Sequence, residues 1–74
     1  MDIADIMIHV HPMNTEQRSK IEAALSESTG VISAHFSPAH PHTLTVAYDP
    51  KAAHAGQLLQ IVRAWDLTAD MVGL

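Results

Sequence analysis

The architecture of this chain is set by one stretch near its start, Ile6-Met7-Ile8-His9-Val10-His11-Pro12-Met13-Asn14-Thr15-Glu16-Gln17. Residues 6–11 alternate with a period of two, which predicts a β-strand with one buried face and one open face. Pro12 has no backbone N–H and interrupts the hydrogen-bond ladder. Asn14 and Gln17 follow with the spacing of a capping box, so a helix begins directly after the strand.

The remaining elements are predicted from the same periodicities. A helix over 15–28 ends before Gly30, the residue type that is favoured just past a helix. Strands follow over 31–37 and 42–48, separated by a turn over 38–41 that holds two prolines. A second amphipathic helix places five side chains on its buried face: Leu58, Leu59, Ile61, Val62 and Trp65. A short strand over 67–72 completes the series.

The element order β-α-β-β-α-β predicts an α+β fold of the ferredoxin-like type. Right-handed crossovers give the strand order 4-1-3-2 with antiparallel neighbours. Both helices then cover one face of the sheet, and the other face stays open. The length of 74 residues fits a single domain over 1–74.

Composition and charge exclude several classes of function. The chain has no cysteine, so neither a disulfide nor a thiolate metal site is available. A net charge of −4 with only four Lys and Arg argues against a nucleic-acid partner. Acidic residues near the start and the lack of a long apolar run argue against a signal peptide or a membrane span. We therefore expect a soluble, cytoplasmic protein.

Catalytic motifs are missing as well. The sequence holds no serine–histidine–acid pattern, no phosphate-binding glycine loop and no paired carboxylates that suggest a pocket. A domain of this size also has little room for a cleft that excludes water. The prediction is that the chain is not an enzyme.

Four segments have the order and spacing of the motifs of a known domain family: Met13, Ile21-Glu22-Ala23-Ala24-Leu25, Gly30-Val31 and Val46-Ala47-Tyr48-Asp49-Pro50. In these segments, and over nearly its whole length, the chain resembles the heavy-metal-associated domain of copper chaperones and metal-pumping ATPases. The resemblance implies the same ferredoxin-like fold and a function in metal binding or transport.

The metal-binding motif of that family is absent from this chain. The resemblance implies that the family's two cysteines would fall at Asn14 and Gln17. Neither amide is a ligand for Cu(I), which prefers sulfur. The glycine–aromatic pair that usually follows the second helix is replaced by Ala64-Trp65-Asp66. A Cu(I) site of the usual kind is therefore not expected, whereas Asn14 and Gln17 suit a helix cap.

Histidines are the unusual feature of the composition, and four of the six lie in two short groups: His9, His11, His40 and His42. In the predicted topology, the end of the first strand and the turn before the third strand lie at the same pole. We expect His11, His40 and His42 to converge there beside Trp65 and Asp66, with His9 in reserve.

The other two histidines are not expected to belong to this group. Counting along the second strand, Ala34 and Phe36 face the helices, so Ser33 and His35 face outward. His35 then shares the open sheet face with His9. His54 precedes the second helix at the opposite pole and is excluded.

Two functions remain open at this point. The first is a histidine-based site for a divalent ion such as Zn, Ni, Co or Cu(II), in a chaperone, buffer or sensor. Because only neutral imidazole binds metal, affinity should fall between about pH 7 and pH 5. The alternative is a metal-free module for protein interaction or homodimerisation, which uses the uncharged open face. A thioether copper site at Met7 or Met13 ranks below both.

Overall fold

Six elements follow one another along residues 2–72, the part of the chain that this computed structural model describes. Their order is β-α-β-β-α-β, as predicted. The elements are β1 (Ala4–His9), α1 (Thr15–Ser26), β2 (Val31–Phe36), β3 (Thr43–Tyr48), α2 (Ala55–Arg63) and β4 (Asp70–Val72).

The four strands form one sheet in the order β2-β3-β1-β4, and each neighbouring pair is antiparallel. This is the predicted order 4-1-3-2 read from the other edge, and it confirms the ferredoxin-like fold. β1 and β3 occupy the centre of the sheet. β1 pairs with β3 along its whole length, from Ala4 opposite Tyr48 to His9 opposite Thr43.

The core lies between the helices and one face of the sheet. The sheet contributes four of the largest fully buried side chains: Ile8 of β1, Val10 just after β1, and Leu44 and Val46 of β3. The helices contribute the other four: Ile21 and Leu25 of α1, and Leu58 and Val62 of α2. The period of two predicted for the first and third strands is confirmed. Burial of this aliphatic surface is the main favourable term in folding.

The capping box predicted at the start of α1 is present. Asn14 Oδ1 accepts a hydrogen bond from the N–H of Gln17 at 2.8 Å, and Gln17 Oε1 accepts one from the N–H of Asn14 at 3.2 Å. Two of the unpaired N–H groups at the helix start are satisfied in this way. α1 therefore begins where the sequence predicts.

The end of α1 was predicted too late. The helix ends at Ser26 with Glu27 as its C-cap, and Ser28 Oγ donates to the carbonyl of Ala24 at 3.0 Å. Gly30 is consequently not the first residue after the helix. It takes a positive φ of 88° in the turn that leads into β2.

The bounds of all four strands differ from the prediction. β1 ends at His9, and the N–H of His11 donates to the side chain of Asp66 rather than to a neighbouring strand. β3 begins at Thr43, since the Thr43 N–H donates to His40 O and closes a turn over 40–43. β2 ends at Phe36, and β4 covers only Asp70–Val72.

The placement of Trp65 on the buried face of the second helix was wrong. α2 ends at Arg63, so Trp65 lies in the following turn and is 43% exposed. Leu58, Leu59 and Val62 are buried as predicted, and Ile61 packs against the core from a partly buried position. Within residues 2–72, neither helix has the length and apolarity needed to cross a bilayer.

Candidate functional site

The end of β1 and the turn before β3 bring two imidazole rings together. His9 is the last residue of β1 and lies opposite Thr43, the first residue of β3, and His42 directly precedes Thr43. The centroids of the His9 and His42 rings are 6.4 Å apart, with their planes at 68°. A hydrogen bond of 2.9 Å from the N–H of Val10 to His42 O fixes the backbone beside this pair.

One nitrogen of the pair is buried and has no hydrogen-bond partner within residues 2–72. This atom is Nδ1 of His42. Buried polar atoms are nearly always paired, and leaving one unpaired costs about 1–3 kcal/mol. An unpaired ring nitrogen beside a second, exposed imidazole is therefore the most distinctive polar feature of this pole.

His11 contributes its backbone to the same pole. Its N–H donates to Asp66 Oδ2 at 2.8 Å, which joins the β1–α1 loop to the α2–β4 loop. Asp66 Oδ1 accepts from the N–H of Thr68 at 2.9 Å and from its hydroxyl at 2.6 Å. The bond from His11, followed by that from the Thr68 hydroxyl, lowers the pKa of Asp66 to about 2. The expected proximity of Asp66 to His11 is thus confirmed.

The predicted convergence of three histidines is not formed. His40 is exposed in its turn, where its N–H donates to Ser37 O at 3.2 Å. Among residues 2–72 no three His, Asp or Glu side chains are grouped closely enough to hold a metal ion. The structure instead pairs His42 with His9, which sequence reasoning had kept in reserve. The assignment of His9, His11, His40 and His42 as ligands remains a prediction.

The open face of the sheet carries a row of side chains that includes no Asp, Glu, Lys or Arg. The strand pairing places His35, Thr45, Met7 and Val72 side by side across all four strands. Met7 is 41% exposed and Val72 is 42% exposed. His35 faces outward as predicted. His9 belongs to the neighbouring row, between Thr43 and Asp70.

The positions that the family resemblance assigns to metal binding do not fit a soft metal. Asn14 and Gln17 each bond the backbone of the other, as described above, and carry no sulfur. A Cu(I) ion would find only amide groups there. In this chain the start of α1 is a helix cap.

A shallow pocket of about 250 Å³ lies between α1 and the turn after β2. Its charged side chains are used by the fold. Arg18 Nη1 donates to Met13 O at 2.7 Å, and Glu22 Oε2 accepts from the N–H of Phe36 at 2.8 Å. Arg18 and Glu22 therefore hold backbone groups at the two sides of this pocket.

Comparison with known proteins gives similar structures but no sequence match. No family profile and no curated protein matches the chain. Among solved structures, the chain is similar to a CopZ metallochaperone, with 24% identity, a TM-score of 0.74, and coverage of 93% of this chain and 100% of that one. It is also similar to the mercury-bound form of MerP, the periplasmic protein of the bacterial mercury detoxification system, with 15% identity, a TM-score of 0.72, and coverage of 95% and 97%. At these identities the similarity shows a common fold.

Replacement of Asp66 tests the link between the two loops. We expect Asp66→Ala to lower the free energy of unfolding by about 1 kcal/mol, because three hydrogen bonds are lost but the partly exposed carboxylate is screened by water. Since the folded-state pKa lies below the ordinary value of 3.8, this stabilisation is present above about pH 4 and is lost as the pH falls towards 2. Urea unfolding at several pH values measures both effects.

Asp70→Ala is the matched control for that measurement. Asp70 Oδ1 accepts one hydrogen bond, from the adjacent N–H of Met71, and its side chain is 78% exposed. Its replacement should change stability by no more than about 0.5 kcal/mol. Equal effects of the two substitutions would contradict the role given to Asp66.

Proposed function

We propose that this chain is a non-enzymatic metal-binding domain that uses histidines where related domains use cysteines. The cargo is a divalent ion of the class Zn, Ni, Co or Cu(II), and the role is that of a chaperone, buffer or sensor. The observation that carries the proposal is the pairing of His9 with His42, in which Nδ1 of His42 lacks a partner within residues 2–72. His11 and His40 stand close along the chain as further ligands.

The geometry of the pair suits a shared ion after a small movement. With Zn–N bonds of about 2.0–2.1 Å and tetrahedral angles, two imidazoles on one ion have centroids about 5 Å apart. The observed separation is 6.4 Å. His9 is exposed on the open face, so a change in its side-chain torsions can close the difference without disturbing the core.

The shared fold and the chemistry of the ligands support the same class of function. One protein of similar structure is named a metallochaperone, and another was solved with mercury bound. Mercury is a soft metal, whereas this chain has no cysteine to bind one. Imidazole nitrogen favours borderline divalent ions over Cu(I). We therefore propose that the chain binds metal as a soluble, cytoplasmic protein. Its ion is a borderline divalent one in place of a soft metal.

Calorimetric titration of the metal-free protein with Zn, Ni, Co and Cu(II) at about pH 7.5, where imidazole is mostly neutral, tests the proposal. We expect one submicromolar site, and a loss of affinity of more than about 100-fold in His9→Ala and in His42→Ala. His42→Ala should cost little stability, because Nδ1 makes no hydrogen bond to residues 2–72. Lost binding can then be attributed to a lost ligand.

His54→Ala is the control, since His54 is an exposed histidine at the start of α2, outside the proposed site. Its affinity should equal that of the parent. Parallel titrations of His11→Ala and His40→Ala show whether either residue joins the site. Weak, unsaturable heat that no substitution changes would refute metal binding.

The second candidate function is a metal-free interaction module. It is favoured by one observation, the row across the open face that includes no Asp, Glu, Lys or Arg and in which Met7 and Val72 are both more than two-fifths exposed. Light scattering in the presence of a chelator separates the two functions. A stable dimer without metal would support the interaction module.

A further inference from the structure

We propose that the pocket between α1 and the turn after β2 binds a free α-amino acid with an apolar side chain. Arg18 binds the carboxylate of this ligand, and Glu22 binds its ammonium group. Both residues line the pocket, and no histidine does. The inference therefore stands apart from the proposed metal function and does not depend on it.

The pocket is lined by one cation and one anion that are not paired with each other. Arg18 and Glu22 lie four positions apart on α1, a spacing at which opposite charges are neighbours on a helix surface. Neither residue belongs to an ion pair within residues 2–72. Both are half-buried, which is uncommon for a charge without a partner of opposite sign. The space between them therefore suits a molecule that carries both charges.

Each of the two groups has hydrogen-bonding capacity left. The guanidinium of Arg18 has five N–H donors, and it donates from Nη1 to Met13 O at 2.7 Å and from Nη2 to Thr15 Oγ1 at 3.3 Å. Glu22 Oε2 accepts from the N–H of Phe36 at 2.8 Å, whereas Oε1 accepts no hydrogen bond from residues 2–72. These bonds hold the two charges in place before a ligand arrives, which lowers the entropic cost of binding.

A free α-amino acid matches this arrangement of charges. Near neutral pH it carries a carboxylate and an ammonium group on one carbon. Charge-assisted hydrogen bonds of about 2.7–2.9 Å, one from Arg18 and one to Glu22, span the gap that the two side chains do not close themselves. An anion alone would leave Glu22 without a partner, and a cation alone would leave Arg18 without one. The pocket therefore discriminates in favour of a zwitterion.

The rest of the wall selects the side chain of the ligand. Phe36, Pro38 and Pro41 contribute apolar rings beside the charged pair. The volume of about 250 Å³ is smaller than the roughly 300–1,000 Å³ of sites for drug-sized molecules. A small amino acid with an aliphatic side chain, such as leucine, fits these walls. Because the pocket is shallow, we expect a dissociation constant of about 1 mM or somewhat lower.

A nuclear magnetic resonance titration of the isotope-labelled protein with L-leucine at about pH 7 tests this site. A chelator is present throughout, because free amino acids also bind metal ions. We expect saturable shifts of the amide signals of Ser19, Phe36 and Ser37. Leucinamide lacks the carboxylate and isocaproate lacks the ammonium group, so each should bind at least about tenfold more weakly. Equal binding of the three compounds, or no saturable shift with about 20 mM leucine, would overturn the inference.

Two variants of the protein test the charges separately. Glu22→Gln removes the anion but keeps an oxygen that can accept from the N–H of Phe36, and Arg18→Gln removes the cation but keeps an N–H donor. Each should weaken leucine binding at least about tenfold. Glu16→Gln is the matched control, because Glu16 lies on the same helix, pairs with Lys20 and does not line the pocket.

The affinity of Glu16→Gln should equal that of the parent. Parent-like binding by both pocket variants would overturn the assignment of the two charges. Circular dichroism shows whether each variant is folded. If a pocket variant does not fold, the comparison of leucine, leucinamide and isocaproate on the parent protein decides the question.

Discussion

Gly30→Ala is expected to lower the free energy of unfolding by about 3 kcal/mol. The expected stability of a chain of 74 residues is only about 4–11 kcal/mol, so this single methyl group removes a large share of it. Urea unfolding followed by circular dichroism measures the shift.

Two independent causes contribute to this loss. Gly30 has a φ of 88°, a conformation that disfavours every residue with a Cβ. A Cβ built there would also lie 2.9 Å from the Cβ atoms of both Ala52 and Ala53. Ala53 is only 3% exposed, and Gly30 O accepts a hydrogen bond of 2.8 Å from the N–H of Asp49. Neither side of the turn can move away without breaking contacts.

Gly56→Ala is the matched control and should have the opposite sign. Gly56 lies in the first turn of α2, and a Cβ there meets nothing within 4 Å. Replacing a helical glycine by alanine stabilises by about 0.5–1 kcal/mol. If both variants unfold at the same urea concentration, the turn does not have the conformation described here.

The sequence predicted the fold because the signals for it are local. The alternation in β1 and β3 and the capping box at Asn14 depend on neighbours a few residues apart, and chain topology then allows few sheet orders. The misplaced ends have distant causes. The His11 N–H leaves the ladder for the carboxylate of Asp66, which is 55 residues away, and no periodicity reports such a contact.

The candidate site was predicted less completely for the same reason. Topology placed the right segments at one pole but did not supply the register between β1 and β3. That register, with Ile8 opposite Leu44 and His9 opposite Thr43, brings the end of β1 beside His42, the residue that precedes β3. Strand alternation alone assigns His9 and His42 to opposite faces of the sheet, so the contact of their rings depends on the turn before β3. Neither that contact nor the turn that leaves His40 exposed could be predicted from the sequence.

The double substitution Asn14→Cys with Gln17→Cys is expected to create a soft-metal site. We expect its affinity for Cu(I) to exceed that of the parent by at least about 1,000-fold, because thiolates bind Cu(I) far more strongly than amides do. Competition with a chromogenic Cu(I) chelator under anaerobic conditions measures the gain.

The geometry of the capping box is the reason for this expectation. The side chains of Asn14 and Gln17 fold over the same first turn of α1, each within hydrogen-bond distance of the backbone of the other. Two sulfur atoms at these positions would lie together at a helix N-terminus, which lowers the pKa of a thiol and favours the metal-binding thiolate. The loss of the cap should cost about 1 kcal/mol of stability.

Ala23→Cys with Ser26→Cys is the matched control for cysteine content and spacing. Both residues are exposed on α1, three positions apart, but they lie in the C-terminal half of the helix, away from its N-terminus. Thiols there lack the favourable helix terminus and should bind Cu(I) more weakly than the pair at Asn14 and Gln17. Equal affinity in the two double variants would mean that the start of α1 has no special competence for metal. In that case the histidine pair would be the stronger candidate for the metal site of this chain.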